Sequence, residues 1–233
     1  MTPGLYAMKS SLTMLKISAP IAYQYEDFSI GVAPVMLFGT LEMSYISFSG
    51  PVGEEAESDT GFGYEVGAAY AFEKWDLTFG AVYHSPIHMR YDNQLSTVSQ
   101  GFGYGTPGAN FSAFSDVLEQ PAELGFGIDW SYEFISLTAD YRTLYWGEAE
   151  GYRDFNWKNQ EVFAVGTEVR IDDLAIRVGY NYGKNPIESS SDATVVNPLV
   201  MNSPRHGDVI NTFNHVMFPA VTETHYTFGA GYQ

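Results

Sequence analysis

The chain has 233 residues, with 28 acidic against 11 basic side chains, a net charge of −17 at pH 7, and no cysteine. That charge excludes a nucleic-acid partner, because no basic patch offsets the repulsion of a polyanion; the missing cysteines exclude disulfides, thiolate chemistry and cysteine-based metal sites. Charged residues make up 17% and aromatic residues 16%, against the roughly 25% charge of an average soluble domain, so the surface is short of charge and rich in amphipathic rings.

No run of about 18 apolar residues occurs, which excludes a spanning helix, but a barrel strand needs only about 9–11 alternating residues. The N-terminal MTPGLYAMKSSLTMLKISAP lacks the charged start, continuous apolar core and cleavage site of a signal peptide. Residues 1–13 read as a loop. A first strand is expected over about 14–25, a turn at Glu26-Asp27, and a second strand from Phe28 to about Phe48. After the acidic loop GPVGEEAESDTG, Tyr64, Val66, Ala68, Tyr70 and Phe72 alternate with Gly63, Glu65, Gly67, Ala69 and Ala71 in a third strand. Glu73-Lys74 turns it into a fourth, with Trp75, Leu77, Phe79, Ala81 and Tyr83 on one face, continuing through SPIHMRYD.

A Gly/Ser/Asn-rich loop over about 94–119 leads into the clearest hairpin of the chain. Ala122, Leu124, Phe126, Ile128, Trp130 and Tyr132 alternate with Glu123, Gly125, Gly127, Asp129 and Ser131; past a turn near 132–133, Ile135, Leu137, Ala139 and Tyr141 alternate with Ser136, Thr138, Asp140 and Arg142. Period two on both arms is the mark of an antiparallel hairpin with one apolar and one polar face. A loop at 147–156, a seventh strand around Phe163–Ile171, a turn at Asp172-Asp173, an eighth strand over Leu174–Tyr182, a loop of about 185–222 and a ninth strand to Gln233 complete the pattern.

Short connections at one end and long ones at the other are the layout of an outer-membrane barrel with periplasmic turns and extracellular loops. Trp75 and Trp130 near the short turns, with Trp146 and Trp157 beside a long loop, suggest two interfacial girdles. Glu65, Glu123, Asp129, Asp140, Arg142, Glu168, Arg170 and Arg177 fall on the opposite face from the apolar stripe, tolerable in a watered lumen and costly in a dry core. The expected fold is therefore all-β, a transmembrane antiparallel up-and-down barrel forming one domain over 1–233. Nine strands is an odd number and a membrane sheet cannot leave open edges, so an internal fragment of a larger barrel is expected.

Five stretches, SAPIAYQYEDFSIGVAP, FGAVYHSPIHMRYD, QPAELGFGIDW, VFAVGTEVRIDDLAIRVGYNYGKNPI and ETHYTFGAGYQ, resemble in order the FadL/TodX family of outer-membrane channels for long-chain fatty acids and hydrocarbons. The resemblance implies a barrel of about 14 strands with an N-terminal plug, of which the plug, three early strands and two late ones lie outside this sequence. It implies uptake of a hydrophobic compound through an extracellular groove and the lumen, with release sideways into lipid.

The candidate groove is the 94–119 loop with Phe102, Tyr104, Phe111, Phe114, Val117 and Leu118, where Phe111, Phe114, Val117 and Leu118 have the spacing of one face of a short helix. The alternative is a loop folding over its own apolar residues to cap the barrel. His84, His88, Arg90 and Arg142 are candidates for a ligand head group; Arg142, Arg170 and Arg177 could equally pair with Glu123, Asp129, Asp140 and Glu168 on neighbouring strands. Glu54, Glu55, Glu57 and Asp59 could hold cations bridging lipopolysaccharide, or simply be solvated. No cofactor, resident metal or catalytic set is expected, since His206, Asp208, His215 and His225 have no triad or metal spacing. The competing functions are a diffusion porin for small polar solutes and, behind it, an outer-membrane barrel hydrolase. A monomer in the outer membrane of a Gram-negative bacterium, touching lipid and lipopolysaccharide, is expected.

Overall fold

A computed structural model describes residues 6–47, 50–53, 55–105, 112–190, 206–218 and 221–232. Its strands are β1 (Tyr6–Ser18), β2 (Ile21–Tyr25), β3 (Phe28–Ser47), β4 (Gly50–Val52), β5 (Glu57–Phe72), β6 (Leu77–His84), β7 (Glu123–Tyr132), β8 (Ile135–Leu144), β9 (Gln160–Ile171), β10 (Leu174–Gly183) and β11 (Thr224–Tyr232). Helices α1 (Leu95–Ser99) and α2 (His206–Met217) lie in long connections. All strands join one sheet in the antiparallel order β1-β3-β5-β6-β7-β8-β9-β10-β11, with β2 prolonging β1 along β3 and β4 folded back on the far end of β3. The nine staves read from the sequence are all present. Among the described residues β1 and β11 do not pair, so the sheet is open. It is nonetheless strongly curled, because α2, which precedes β11, packs against β1 at the other margin.

The short connections cluster at one end, and each puts an acidic residue at positive φ: Glu26 at 50°, Asp76 at 48°, Glu133 at 49° and Asp172 at 50°. A tight reversal between right-twisted strands demands that backbone. Cross-strand register then sorts the side chains. Phe28, Tyr70, Phe79, Ile128, Ala139, Val165, Tyr180 and Tyr226 stand side by side on one face. Gly31, Gly67, Val82, Gly125, Arg142, Val162 and Gly183 form a row on the other. The first face carries large apolar side chains fully in the open, among them Phe126 at 51%, Val165 at 52% and Phe228 at 81% exposure. So large a contiguous apolar surface marks a face that meets something other than water.

That apolar band crosses the ladder obliquely. Phe28 is its foot on β3 and is level with Val165 of β9, whose own stripe runs on down to Ile171. At the top, β3 continues the band through Phe38, while β9 ends it at Phe163. Strands tilted by roughly 35–45° to a membrane normal require such a drift if the band is to lie flat in lipid. The fold is thus that of the wall of an antiparallel transmembrane barrel.

Four boundaries differ from the sequence reading. The segment taken as a loop before residue 14 is strand from Tyr6, and the single first strand is two, because Pro20 has no N–H to give the ladder; Ala19 N still donates to Pro34 O at 3.3 Å. The fourth strand stops at His84 instead of running to Asp92, because the chain at Ser85-Pro86 turns off the sheet onto the face opposite the apolar band. The short turn read at 132–133 falls at Glu133-Phe134.

In liposomes, Val165→Arg should lower folding stability by about 2–4 kcal/mol, as for a cation facing the bilayer midplane, whereas Thr138→Arg on the opposite face should cost well under half of that. Urea titration of the folded fraction measures both.

Candidate functional site

β1, β3 and β5 rise together well past the end of β6, and on their inner side, opposite the apolar band, the long connections assemble a cap. Residues 85–91 alternate, with Ser85, Ile87, Met89 and Tyr91 buried and His88 and Arg90 exposed. Gly61 and Gly63 of β5 let this segment lie flat on the wall, since a Cβ there would come within 2.7 Å of the Met89 sulfur and of Ile87 Cγ1. The segment pairs with 116–120 through Gln120 N to Ile87 O (2.9 Å), Leu118 N to Met89 O (2.9 Å) and Tyr91 N to Asp116 O (2.7 Å).

Onto this platform pack α1, the 145–159 connection and α2. Phe114 and Phe155 (5.0 Å), Phe155 and Phe213 (5.0 Å), and Phe102 and Phe213 (5.3 Å) meet edge-on or tilted, joined by Tyr152, Trp157, Met217 and by Val35, Leu37, Leu41, Met43 and Tyr45 of β3. Buried amides stitch the pieces together. Gln94 accepts from Met43 N (2.8 Å) and donates to Glu55 O (2.9 Å); Asn214 accepts from Trp157 Nε1 (3.2 Å) and donates to Phe155 O (2.7 Å). Each of those amide groups would otherwise be an uncompensated polar burial.

The candidate groove residues Phe102, Tyr104, Phe114, Val117 and Leu118 all lie in or beside this core, at 8% exposure or less; Phe111 lies outside the described residues. The short helix is at Leu95–Ser99, while 112–120 carries no helix and bridges Arg90 and Ile87. Trp146 and Trp157 also belong to the cap, meeting edge-on with ring centroids 5.4 Å apart, so the expected girdle at the long-loop end is not built from them. Trp75, 59% exposed, and Trp130, stacked on Tyr132, do stand at the short-turn end.

Below the cap the inner wall is hollow. Ala33 lines the hollow and Val35, two residues on, is already in the cap core. Gly31, Gly67, Ala69, Gly80, Val82, Gly125 and Gly127 floor a cavity of about 510 Å³, within the ~300–1,000 Å³ of small-molecule sites. A Cβ added at Gly67 would meet nothing nearer than 3.5 Å, so the space exists because side chains are missing from it.

Between hollow and cap runs a chain of charges. Glu65 contacts Lys16 and lies 3.1 Å from His84 Nδ1; Glu123 stands opposite His84 and lies 3.5 Å from Arg142 Nη1. Lys16 was missed in the sequence because the break at Pro20 hides the alternation of β1. A second cluster sits at the short-turn end, where Glu168 binds both Arg170 (2.7 Å) and Arg177 (2.5 Å). Asp129 and Asp140 face the same interior without an ion pair among the described residues. The head-group candidates are therefore split: His84 and Arg142 are in the wall, while exposed Arg90 binds Asp92 (2.7 Å) and exposed His88 is not part of the lining of the hollow. Asp59 is occupied by the backbone N–H groups of Thr60 (2.7 Å) and Arg90 (2.6 Å); Glu54 lies outside the described residues.

Burial pushes the phenols of Tyr91 and Tyr152 up to about 12, with Asp59 adding to the shift of Tyr91. A raised phenol contributes stability in full below the unfolded value near 10 that is lost as pH climbs to the folded value. The cap should therefore loosen between about pH 10 and 12, read as a rise in 295 nm absorbance coincident with loss of near-ultraviolet dichroism. Tyr91 Oη has no hydrogen-bond partner among the described residues, so Tyr91→Phe should remove part of that alkaline loss and leave neutral-pH stability equal or higher by up to about 1 kcal/mol.

No family model and no curated protein matches the chain. Among solved structures, the toluene transporter TodX of Pseudomonas putida superposes with a TM-score of 0.56 at 17% identity, covering 98% of this chain and 62% of its own. The Ralstonia pickettii toluene transporter TbuX gives 0.55 at 14% identity, covering 76% and 57%. The chain thus spans about three-fifths of the length of these transporters (62% and 57%). At that level of identity the likeness concerns architecture, and it agrees with the family resemblance read in the sequence: this chain has the fold of these toluene transporters.

Proposed function

We propose that this chain forms much of the wall of an outer-membrane channel that takes up hydrophobic compounds, long-chain fatty acids or aromatic and aliphatic hydrocarbons, in a Gram-negative bacterium. The observation that carries the reading is the glycine- and alanine-floored hollow lying directly under an apolar cap. A compound of low solubility gains roughly 0.8 kcal/mol for each CH₂ it buries, and the hollow offers it unfilled space on the watered side of the wall. Phe102, Tyr104, Phe114, Val117 and Leu118 serve in this reading as the seal above that chamber, through which a ligand passes when the cap opens. Release runs sideways into the lipid, as the family resemblance implies. The protein works as a monomer, without cofactor, in contact with outer-membrane lipid and lipopolysaccharide.

The toluene transporters with this fold support the class of cargo. A diffusion porin would need a continuous aqueous path, and closely packed rings tied by buried amides argue against one. A hydrolase would need a nucleophile and base converging at one depth; among the described residues the inner wall offers ion pairs instead.

In planar bilayers the intact protein should show little ionic conductance, and in nanodiscs it should bind a fluorescent hydrophobic probe saturably. Gly67→Leu should weaken that binding by about tenfold, equivalent to about 1.4 kcal/mol, while the folded-state band shift on gels persists. Stable open-pore currents, or binding indifferent to a leucine in the hollow, would contradict the proposal.

A further inference from the structure

We infer that the hollow admits uncharged compounds and turns away carboxylates, so that its ligands are hydrocarbons and neutral oxygenated derivatives instead of fatty-acid anions. This rests on the hollow being the ligand chamber of the proposed channel.

The floor is glycine, alanine and valine apart from Ser29, whose hydroxyl is its one uncharged side-chain donor. The cations at its rim are already engaged. Arg142 lies 3.5 Å from Glu123, and Glu65 sits between Lys16 and His84. That chain of charges is internally balanced when His84 is neutral. Asp140 then tips the balance, since its Oδ1 overhangs Gly127 so closely that a Cβ there would be 2.7 Å away. No cation lies within ion-pair distance of Asp140 among the described residues.

A carboxylate entering the hollow must either displace Glu123 from Arg142, leaving that glutamate unpaired, or lie beside Asp140. Both raise its free energy, and low-dielectric walls focus the field of like charge on the entering group. A hydroxyl or a bare ring meets neither cost. The arginine that suggests a head-group anchor in the sequence is, in the folded wall, the internal counter-ion of a glutamate.

The test is a matched pair of ligands, 1-decanol and decanoate, titrated by calorimetry into the intact protein in nanodiscs above the pKa of the acid. Decanol should bind at least about tenfold more tightly. Glu123→Gln, which frees Arg142, and Asp140→Asn, which removes the overhanging charge, should each narrow that ratio several-fold, and low salt should widen it in the unmodified protein. Parity between the two ligands, or a ratio untouched by both substitutions, would overturn the inference while leaving the uptake reading in place. If neither compound binds, the uptake reading and this inference are overturned together.

Discussion

Strand residues alternate sides because the backbone pairs in the plane between them, and in this chain that geometry divides two solvents. Along β9, Phe163, Val165 and Val169 point one way, and Ala164, Gly166 and Glu168 the other. A register slip of one residue would turn the glutamate–arginine cluster of Glu168, Arg170 and Arg177 into lipid and the valines into the lumen, at a cost no loop contact could offset. The ladder is therefore fixed by the two faces jointly, and turn geometry, band tilt and interior charge all follow from it.

The inner face has two regimes along β3. Up to Ala33 its inward positions are small and the wall is hollow; from Val35 to Tyr45 they are large, except Gly39 against which Tyr91 and Met89 pack, and the cap fills the space. The same strand thus sets both the floor of the chamber and its lid. Glycines play opposite parts in the two regimes. Gly61 and Gly63 are covered tightly by Ile87 and Met89, whereas Gly67 is left open.

The wall was legible in the sequence because period-two patterning is a local property: the Gln120–Trp146 hairpin and the β9–β10 pair fall where alternation puts them, and Arg142 and Arg177 meet glutamates across strands while Arg170 meets Glu168 two residues away on its own strand. The cap was not. Its core joins Phe102, Phe155 and Phe213, from three connections far apart in sequence, and no local period records that meeting. The apolar residues of the 94–119 loop could be recognised, but groove and self-covering cap have the same composition; the burial of Phe102, Tyr104, Phe114, Val117 and Leu118 is a long-range property that composition does not carry. Trp146 and Trp157 were read as a girdle for the same reason, being ring residues near a strand end whose long-range partners the sequence does not show. Lys16 was hidden by the lapse of pairing at Pro20.

The central claim is that one face of this sheet meets lipid and the other a watered interior. The chain lacks cysteine, so single cysteines can be introduced one at a time from residue 162 to 171, spin-labelled, and scanned in liposomes for collision with oxygen and with a water-soluble nickel chelate. Oxygen accessibility should peak at 163, 165, 167 and 169, and nickel accessibility at 164, 166 and 168. Nickel accessibility that is uniform along the strand, or highest at 163 and 165, would contradict the account.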